Sequence, residues 1–346
     1  MSGLRDSYAR VIDYLRISIT DKCNLRCIYC MPDEGVAPVQ HGDVLSYEEI
    51  LRIAEVAARL GVRKLRLTGG EPLVRKNLVF LISALKKIGG IEDLSLTTNG
   101  QLLANAARDL KNAGLDRVNV SIDSFIPERY RRITRGGDLE VVRSGLRAAD
   151  EAGLKPLKIN MVPIRGLNDD EIEDFARITA DSAYHVRFIE CMPTAESGFW
   201  SPERYITTDE IMERIRKNVG GLTAVRARKN GPSKYYRLEG AKGVVGFISA
   251  LTHHFCDSCN RLRLTADGKL RPCLFSESEI DLRAAIRSGA PDSEIERLLR
   301  LAIAVKPEGH KIGSRSDGHD MRRPDSSGNS PGISLFLKRP MSKIGG

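Results

Sequence analysis

Over the first 195 residues, short runs of alternating apolar and polar positions take turns with longer runs of helical period. The alternating runs are residues 14–19, 64–68, 94–98, 117–123, 156–162 and 185–190. Each reads as a strand, because successive side chains of extended backbone point to opposite faces. The helical runs carry start and stop signals. "SYEEILRIAEVAARLG" opens with Ser46 and Glu49 at capping-box spacing and stops at Gly61. Other helices end before Gly114 and Gly153, and Asn168 reads as the cap of "NDDEIEDFARI". Six βα units in succession predict parallel strands with helices outside, joined by right-handed crossovers.

Parallel strands buried on both faces read as continuous apolar runs. These alternate instead. Leu15, Ile17 and Ile19 share one parity, and Arg16 and Ser18 the other. Leu65 and Leu67 oppose Lys64, Arg66 and Thr68; Leu157, Ile159 and Met161 oppose Lys158 and Asn160. The apolar parity must face the helices, so a polar, partly cationic parity faces the interior of a curved sheet. An ordinary eight-stranded barrel fills that interior with branched apolar side chains. A polar interior implies a lumen for ligand and water, and six units imply an incomplete (β/α)6 TIM-type barrel with an open side. Arg16, Arg66 and Lys158 pointing inward suit an anionic substrate. The bland alternative is an antiparallel sheet with one wet face.

The pattern changes after residue 200. "TTDEIMERIRKN" is a helix capped by Thr207 with Glu210; strand-like runs follow in "KYYRLEG" and "GVVGFIS", then helical runs at 280–288 and 293–305. This predicts a smaller α+β domain over 201–346 after a barrel domain over 1–200. Residues 309–332, rich in Gly, Ser, Asp and Pro, read as a long loop.

Of 346 residues, 41% are hydrophobic and 29% charged, which fits a globular chain rather than a disordered one. The net charge of +9 favours an anionic partner. No apolar run reaches the length of a membrane span and no secretory signal is visible, so the expectation is a cytoplasmic protein with no membrane partner. In that reducing compartment, seven cysteines read as metal ligands or reactive thiols. Basic residues are spread through the helices without an aromatic strand platform, which argues against nucleic-acid binding.

Six cysteines form two triplets, and Cys191 stands alone. Cys23, Cys27 and Cys30 are spaced C-x3-C-x2-C within one loop. Thiolates suit zinc or iron–sulfur clusters. Zinc sites favour paired C-x2-C elements, whereas a cubane held by three cysteines leaves one iron open to a small molecule. Cys256, Cys259 and Cys273, at C-x2-C-x13-C, pose the same choice, with His253 and His254 near enough to complete a zinc site. Arg261 and Arg263 lie between these cysteines at strand spacing. Two guanidiniums beside an open cluster suit a phosphate-bearing substrate.

C-x3-C-x2-C with Tyr29 before its last cysteine resembles the signature of radical S-adenosylmethionine (SAM) enzymes. "TGGEP", from Thr68 to Pro72, resembles their GGE motif one βα unit later. The resemblance implies a [4Fe-4S] cluster on Cys23, Cys27 and Cys30 whose open iron chelates SAM. It also implies SAM contacts at Tyr29, Gly70, Glu71, Ser121 and Met192, and hydrogen abstraction by a 5′-deoxyadenosyl radical.

Within that superfamily the chain resembles the branch that cyclises GTP in the first step of molybdenum cofactor biosynthesis. The resemblance runs from about Tyr14 to Phe275 and returns at "MSKIGG". It implies a second [4Fe-4S] cluster on Cys256, Cys259 and Cys273 that binds the guanine. Arg16, Arg66, Thr97, Lys158, Arg261, Leu262 and Arg263 fall at GTP-contacting positions. Arg261, Arg263, Gly345 and Gly346 would support catalysis, the last two as a tail entering the active site. The implied reaction takes hydrogen from ribose C3′, joins that carbon to guanine C8, and yields (8S)-3′,8-cyclo-7,8-dihydro-GTP. Implied partners are GTP, an electron donor, the downstream cyclic pyranopterin monophosphate synthase, and a second copy of the chain in a homodimer. A peptide-modifying radical SAM enzyme would share the first motif, but would carry more C-terminal cysteines and have no use for a terminal Gly-Gly.

Overall fold

A computed structural model describes residues 3–193, 198–225, 231–310, 312 and 341–344. Strands β1 (Tyr14–Ser18), β2 (Lys64–Thr68), β3 (Asp93–Thr98), β4 (Arg117–Ser121), β5 (Lys158–Met161) and β6 (His185–Ile189) fall on the six alternating runs. Neighbours in chain order pair in parallel throughout, which removes the antiparallel alternative.

The intervening helices are α1 (Tyr47–Arg59), α2 (Leu78–Lys86), α3 (Leu103–Asn112), α4 (Pro127–Thr134), α5 (Leu139–Glu151) and α6 (Ile172–Asp181). They cover the apolar parity. Leu15, Ile17, Leu65, Leu67, Val118 and Val120 are fully buried in one core with residues from these helices. Each such side chain contributes about 1.5–3 kcal/mol relative to exposure. The capping box of α1 closes in both directions: Glu49 N donates to Ser46 Oγ at 3.1 Å, and Ser46 N donates to Glu49 Oε2 at 2.7 Å. Gly61, at φ +110°, ends that helix in a conformation open mainly to glycine.

Asn168 departs from the expectation. Its side chain caps no helix. It is fully buried, accepting from Ile164 N and donating to the carbonyls of Asp123 and Val162, so it ties the ends of β4 and β5 together. A buried amide with local backbone partners satisfies those first.

The second half does not build a separate sheet. Its strands are β7 (Leu222–Val225), β8 (Lys234–Leu238), β9 (Val244–Ile248), β10 (Arg261–Leu264), β11 (Lys269–Arg271) and β12 (Ile280–Asp281). They extend the first sheet at both edges, in the order β12-β11-β10-β1-β2-β3-β4-β5-β6-β9-β8-β7. Strand β10 joins β1 in parallel and β9 joins β6 in parallel. The remaining pairs are antiparallel. An incomplete barrel of six βα units is thus widened by a parallel strand on each side and stays open between β7 and β12. Helices α7 (Thr208–Asn218), α8 (Leu282–Arg287), α9 (Asp292–Ala304) and α10 (Met341–Ile344) belong to this half. The expected loop at 309–332 lies almost wholly outside the described residues. No described helix is long and apolar enough to cross a membrane.

Candidate functional site

The polar parity of the strands lines one cavity of about 370 Å³. All six cysteines of the two triplets face it. Topology separates them along the lumen. The first triplet follows the C-terminal end of β1. Cys256 and Cys259 precede β10, which is parallel to β1, and Cys273 follows β11, which runs the other way. The triplets therefore sit toward opposite ends of the strands that line the lumen.

Between them stand cations held in ladder register. Arg16 lies opposite Arg66 on one side and Arg263 on the other. Arg66 is opposite Ser95, and Lys158 opposite His185. Arg16, Arg66, Thr97, Lys158, Arg261 and Arg263 all line the cavity, as expected. Burial and the charge of Arg263 hold Arg16 below its ordinary value, and burial with Arg261 lowers Arg263 to about 10. Burial lowers Lys158 to about 8, with Arg187 adding to the effect.

Leu262 faces the other way. Arg261 and Arg263 share the inward parity, so the intervening Leu262 points outward and is 1% exposed in the helix-side core. Its side chain is not part of the cavity wall, so a contact from this position would come from its backbone.

The GGE segment acts first on the chain itself. Gly70 N donates to Thr20 O and Glu71 N to Lys22 O, both at 2.8 Å. A Cβ at Gly69 would lie 2.4 Å from Thr20 O, and one at Gly70 2.4 Å from Lys22 O. The glycines thus let β2 press against the backbone entering the first cysteine loop. Glu71 lies outside the cavity lining, 1% exposed, and accepts from Leu73 N, Thr98 Oγ1 and Asn99 N. Burial raises it to about 7 against those hydrogen bonds. Gly70, Tyr29, Ser121 and Met192, the other expected SAM contacts, do line the cavity.

Tyr29 donates to Asp123 Oδ2 at 2.7 Å, and Val162 N donates to the other oxygen at 2.9 Å. Burial still lifts Asp123 to about 6. Asn99 reaches Cys23 Sγ at 3.8 Å and Asn24 Oδ1 at 2.8 Å. Cys27 is raised by its hydrogen bond with Cys30 and by burial; burial lifts Cys23 to about 12. In the second triplet burial also raises Cys259, but Arg261 and Lys306 outweigh it and leave that thiol at about 6.

The donor set tests the expected groups. Soft thiols suit iron–sulfur clusters. Among the described residues no three His, Cys, Asp or Glu side chains converge on one point as a single ion requires, whereas a cubane takes its thiolates at separate corners. His253 turns away to Asp209, with Nε2 to Oδ2 at 2.8 Å, and lies outside the cavity lining. The buried Nε of Arg117 and of Arg187 in the cavity wall have no hydrogen-bond partner, which suits a polar ligand.

Comparison with known proteins fits this geometry. The family described as "Radical SAM superfamily" matches residues 17–178, and "Molybdenum Cofactor Synthesis C" matches residues 184–312. A GTP 3′,8-cyclase of Thermodesulfovibrio yellowstonii is 52% identical over 307 residues, covering 88% of this chain and 95% of that protein. The chain belongs to the GTP 3′,8-cyclase family. A GTP 3′,8-cyclase of Alkaliphilus metalliredigens is 46% identical over 343 residues, covering 99% of this chain and all of its own length. The solved structure of Streptococcus suis SuiB bound to precursor peptide SuiA matches with a TM-score of 0.56 at 14% identity, covering 89% of this chain and 68% of that one. That likeness is one of fold.

Against the GTP 3′,8-cyclase expectations, the residues missed are Lys64, Arg117, Arg187, Tyr235 and Lys306, all in the cavity wall. The parity rule applied to β2, β4 and β6 finds the first three. Tyr235 arrives from β8, and accepts from Lys158 Nζ at 3.2 Å. Gly345 and Gly346 lie outside the described residues, but α10 just before them places Met341 and Ser342 in the cavity wall.

Proposed function

We propose that the chain converts GTP to (8S)-3′,8-cyclo-7,8-dihydro-GTP, the first step of molybdenum cofactor biosynthesis, using two [4Fe-4S] clusters and SAM. The observation that carries this reading is that both cysteine triplets open onto one cation-lined cavity from opposite ends. Cys23, Cys27 and Cys30 hold the SAM-binding cluster; Cys256, Cys259 and Cys273 hold the one that takes the guanine. When bound, the first cluster and SAM supply the electron and the carbon radical that remove hydrogen from ribose C3′.

The chain's own residues bind, orient and exclude water. Tyr29, Gly70, Ser121 and Met192 contact SAM; Glu71 acts by fixing the turn between β2 and the cysteine loop. Arg16, Arg66, Thr97, Lys158 and Arg187 bind GTP, with the cations taking its phosphates through charge-assisted hydrogen bonds. Arg261 and Arg263 hold the substrate beside the second triplet. Gly345 and Gly346 support the closing step. Residues 1–200 thus handle SAM, and residues 201–346 complete the substrate site. An external electron donor, the cyclic pyranopterin monophosphate synthase that takes the product, a homodimer and a cytoplasmic location complete the reading.

Iron and sulfide assays after anaerobic reconstitution test it. About eight of each per chain are expected for two cubanes, and about four would remove the second cluster.

A further inference from the structure

Lys306 follows α9, outside every motif that carried the sequence reading, and its side chain is driven into the second cysteine group. It is 3% exposed. Its Nζ donates to Pro272 O at 2.7 Å, to Arg261 O at 3.0 Å and to Cys259 Sγ at 3.5 Å. An ammonium has three N–H donors, so all three are committed to the protein and none is left for a substrate. The neighbouring backbone continues the enclosure. Gly309 packs against Cys256, where a Cβ would lie 3.8 Å from the sulfur. Arg10, 7% exposed and paired with Asp6 at 2.6 Å, donates to Cys256 O, Pro307 O and Glu308 O at 2.6–2.7 Å. The segments bearing Cys256, Cys259 and Cys273 are all reached from residues 306–310.

We propose that residues 306–310, with Arg10, form an outer clasp on the second cysteine triplet, and that Lys306 is a positioning residue which raises the reduction potential of the cluster held there. This rests on the two-cluster reading above. The physical reason is the charge change on reduction. An added electron makes the cluster and its thiolates more negative, and a resident cation with an N–H on a ligating sulfur stabilises that state over the oxidised one. Arg261, whose Nη2 lies 3.8 Å from the same sulfur, is packed over the Phe255 ring and still faces the cavity. It is available to substrate, whereas Lys306 is not.

The test uses the full chain with Cys23, Cys27 and Cys30 changed to Ala, so that only the second triplet can be loaded. Iron and sulfide are assayed first; absence of about four of each defeats the two-cluster reading, and this inference falls with it. With the cluster present, potentiometric titration followed by electron paramagnetic resonance compares Lys306 with Lys306→Met and Lys306→Arg. Lys306→Met is expected to lower the reduced-to-oxidised ratio at fixed potential about tenfold, equivalent to about 59 mV for one electron. Lys306→Arg should recover most of it, since it keeps the charge. An unchanged potential in Lys306→Met at full iron content overturns the proposal. If Lys306→Met keeps its circular dichroism but loses iron, the clasp is supported, and Lys306→Gln carries the potential measurement: a lowered potential supports the proposal and an unchanged one overturns it.

Discussion

Arg16 and Arg263 stand directly opposite each other on the parallel β1–β10 pair, both facing one cavity. Like charges at ladder positions repel; burial, with Arg263 acting on Arg16 and Arg261 acting on Arg263, holds both guanidiniums below their ordinary value. A fold keeps such a pair where an anion will sit between the charges. Arg263→Ala should therefore weaken GTP binding at least tenfold, about 1.4 kcal/mol, measured anaerobically by calorimetry. The melting temperature without nucleotide should stay level or rise, because repulsion is relieved. An unchanged dissociation constant contradicts the role.

Gly70→Ala places a methyl against the backbone of Asp21 and Lys22, where no flexible side chain can yield. The first cysteine loop must shift. Iron per reconstituted chain should fall from about eight toward about four, while the signal of the second cluster persists. Full iron content with normal SAM cleavage would show that the contact does not position the loop.

Lys158 and Tyr235 share a hydrogen bond; burial lowers Lys158 to about 8, and Arg187 with Lys158 lowers Tyr235 to about 8 against its burial. Phosphate binding favours protonated Lys158 and neutral Tyr235. Affinity for GTP should be flat below about pH 8 and fall as pH rises through it, since each deprotonation removes positive charge from the site. Lys158→Met should bind more weakly at pH 7 and lose part of that pH slope, the rest belonging to Tyr235, which Arg187 still holds down. A slope undiminished by the substitution assigns the titration elsewhere.

These dependences also show how much of the site is legible in the sequence. The inward direction of Arg16, Arg66 and Lys158 follows from period-two alternation, which parallel strands with apolar outer faces impose. The same rule places Leu262 outward. Cysteine spacing brings out both triplets because three thiols within so short a stretch suit a shared metal cluster. Asn168 differs from its expected role as a helix cap, and Glu71 accepts from Leu73 N, Thr98 Oγ1 and Asn99 N, since a buried polar side chain takes the nearest donors. Lys306 and Tyr235 cannot be found this way. Their contacts span 47 and 77 residues, set by tertiary packing that local pattern does not encode. That the second-half strands extend the first sheet is likewise invisible, because pairing partners of edge strands leave no periodic mark.

Helix α10 brings Met341 and Ser342 into the cavity wall, with Lys343 and Ile344 between them and Gly345. Deleting Gly345 and Gly346 should leave SAM and GTP binding within about twofold while product formation falls at least a hundredfold, about 2.7 kcal/mol. Chromatography of the nucleotide products checks this, and a truncated chain with ordinary turnover contradicts it.

The central claim is that a coordination position on the second cluster is open to the purine of GTP. The most direct measurement is the electron paramagnetic resonance spectrum of a reconstituted variant lacking Cys23, Cys27 and Cys30, recorded with and without GTP. The account predicts that GTP shifts the signal of that remaining cluster and that ATP, with the wrong base edge, does not. Identical spectra with saturating GTP, in a chain carrying about four irons, would contradict it.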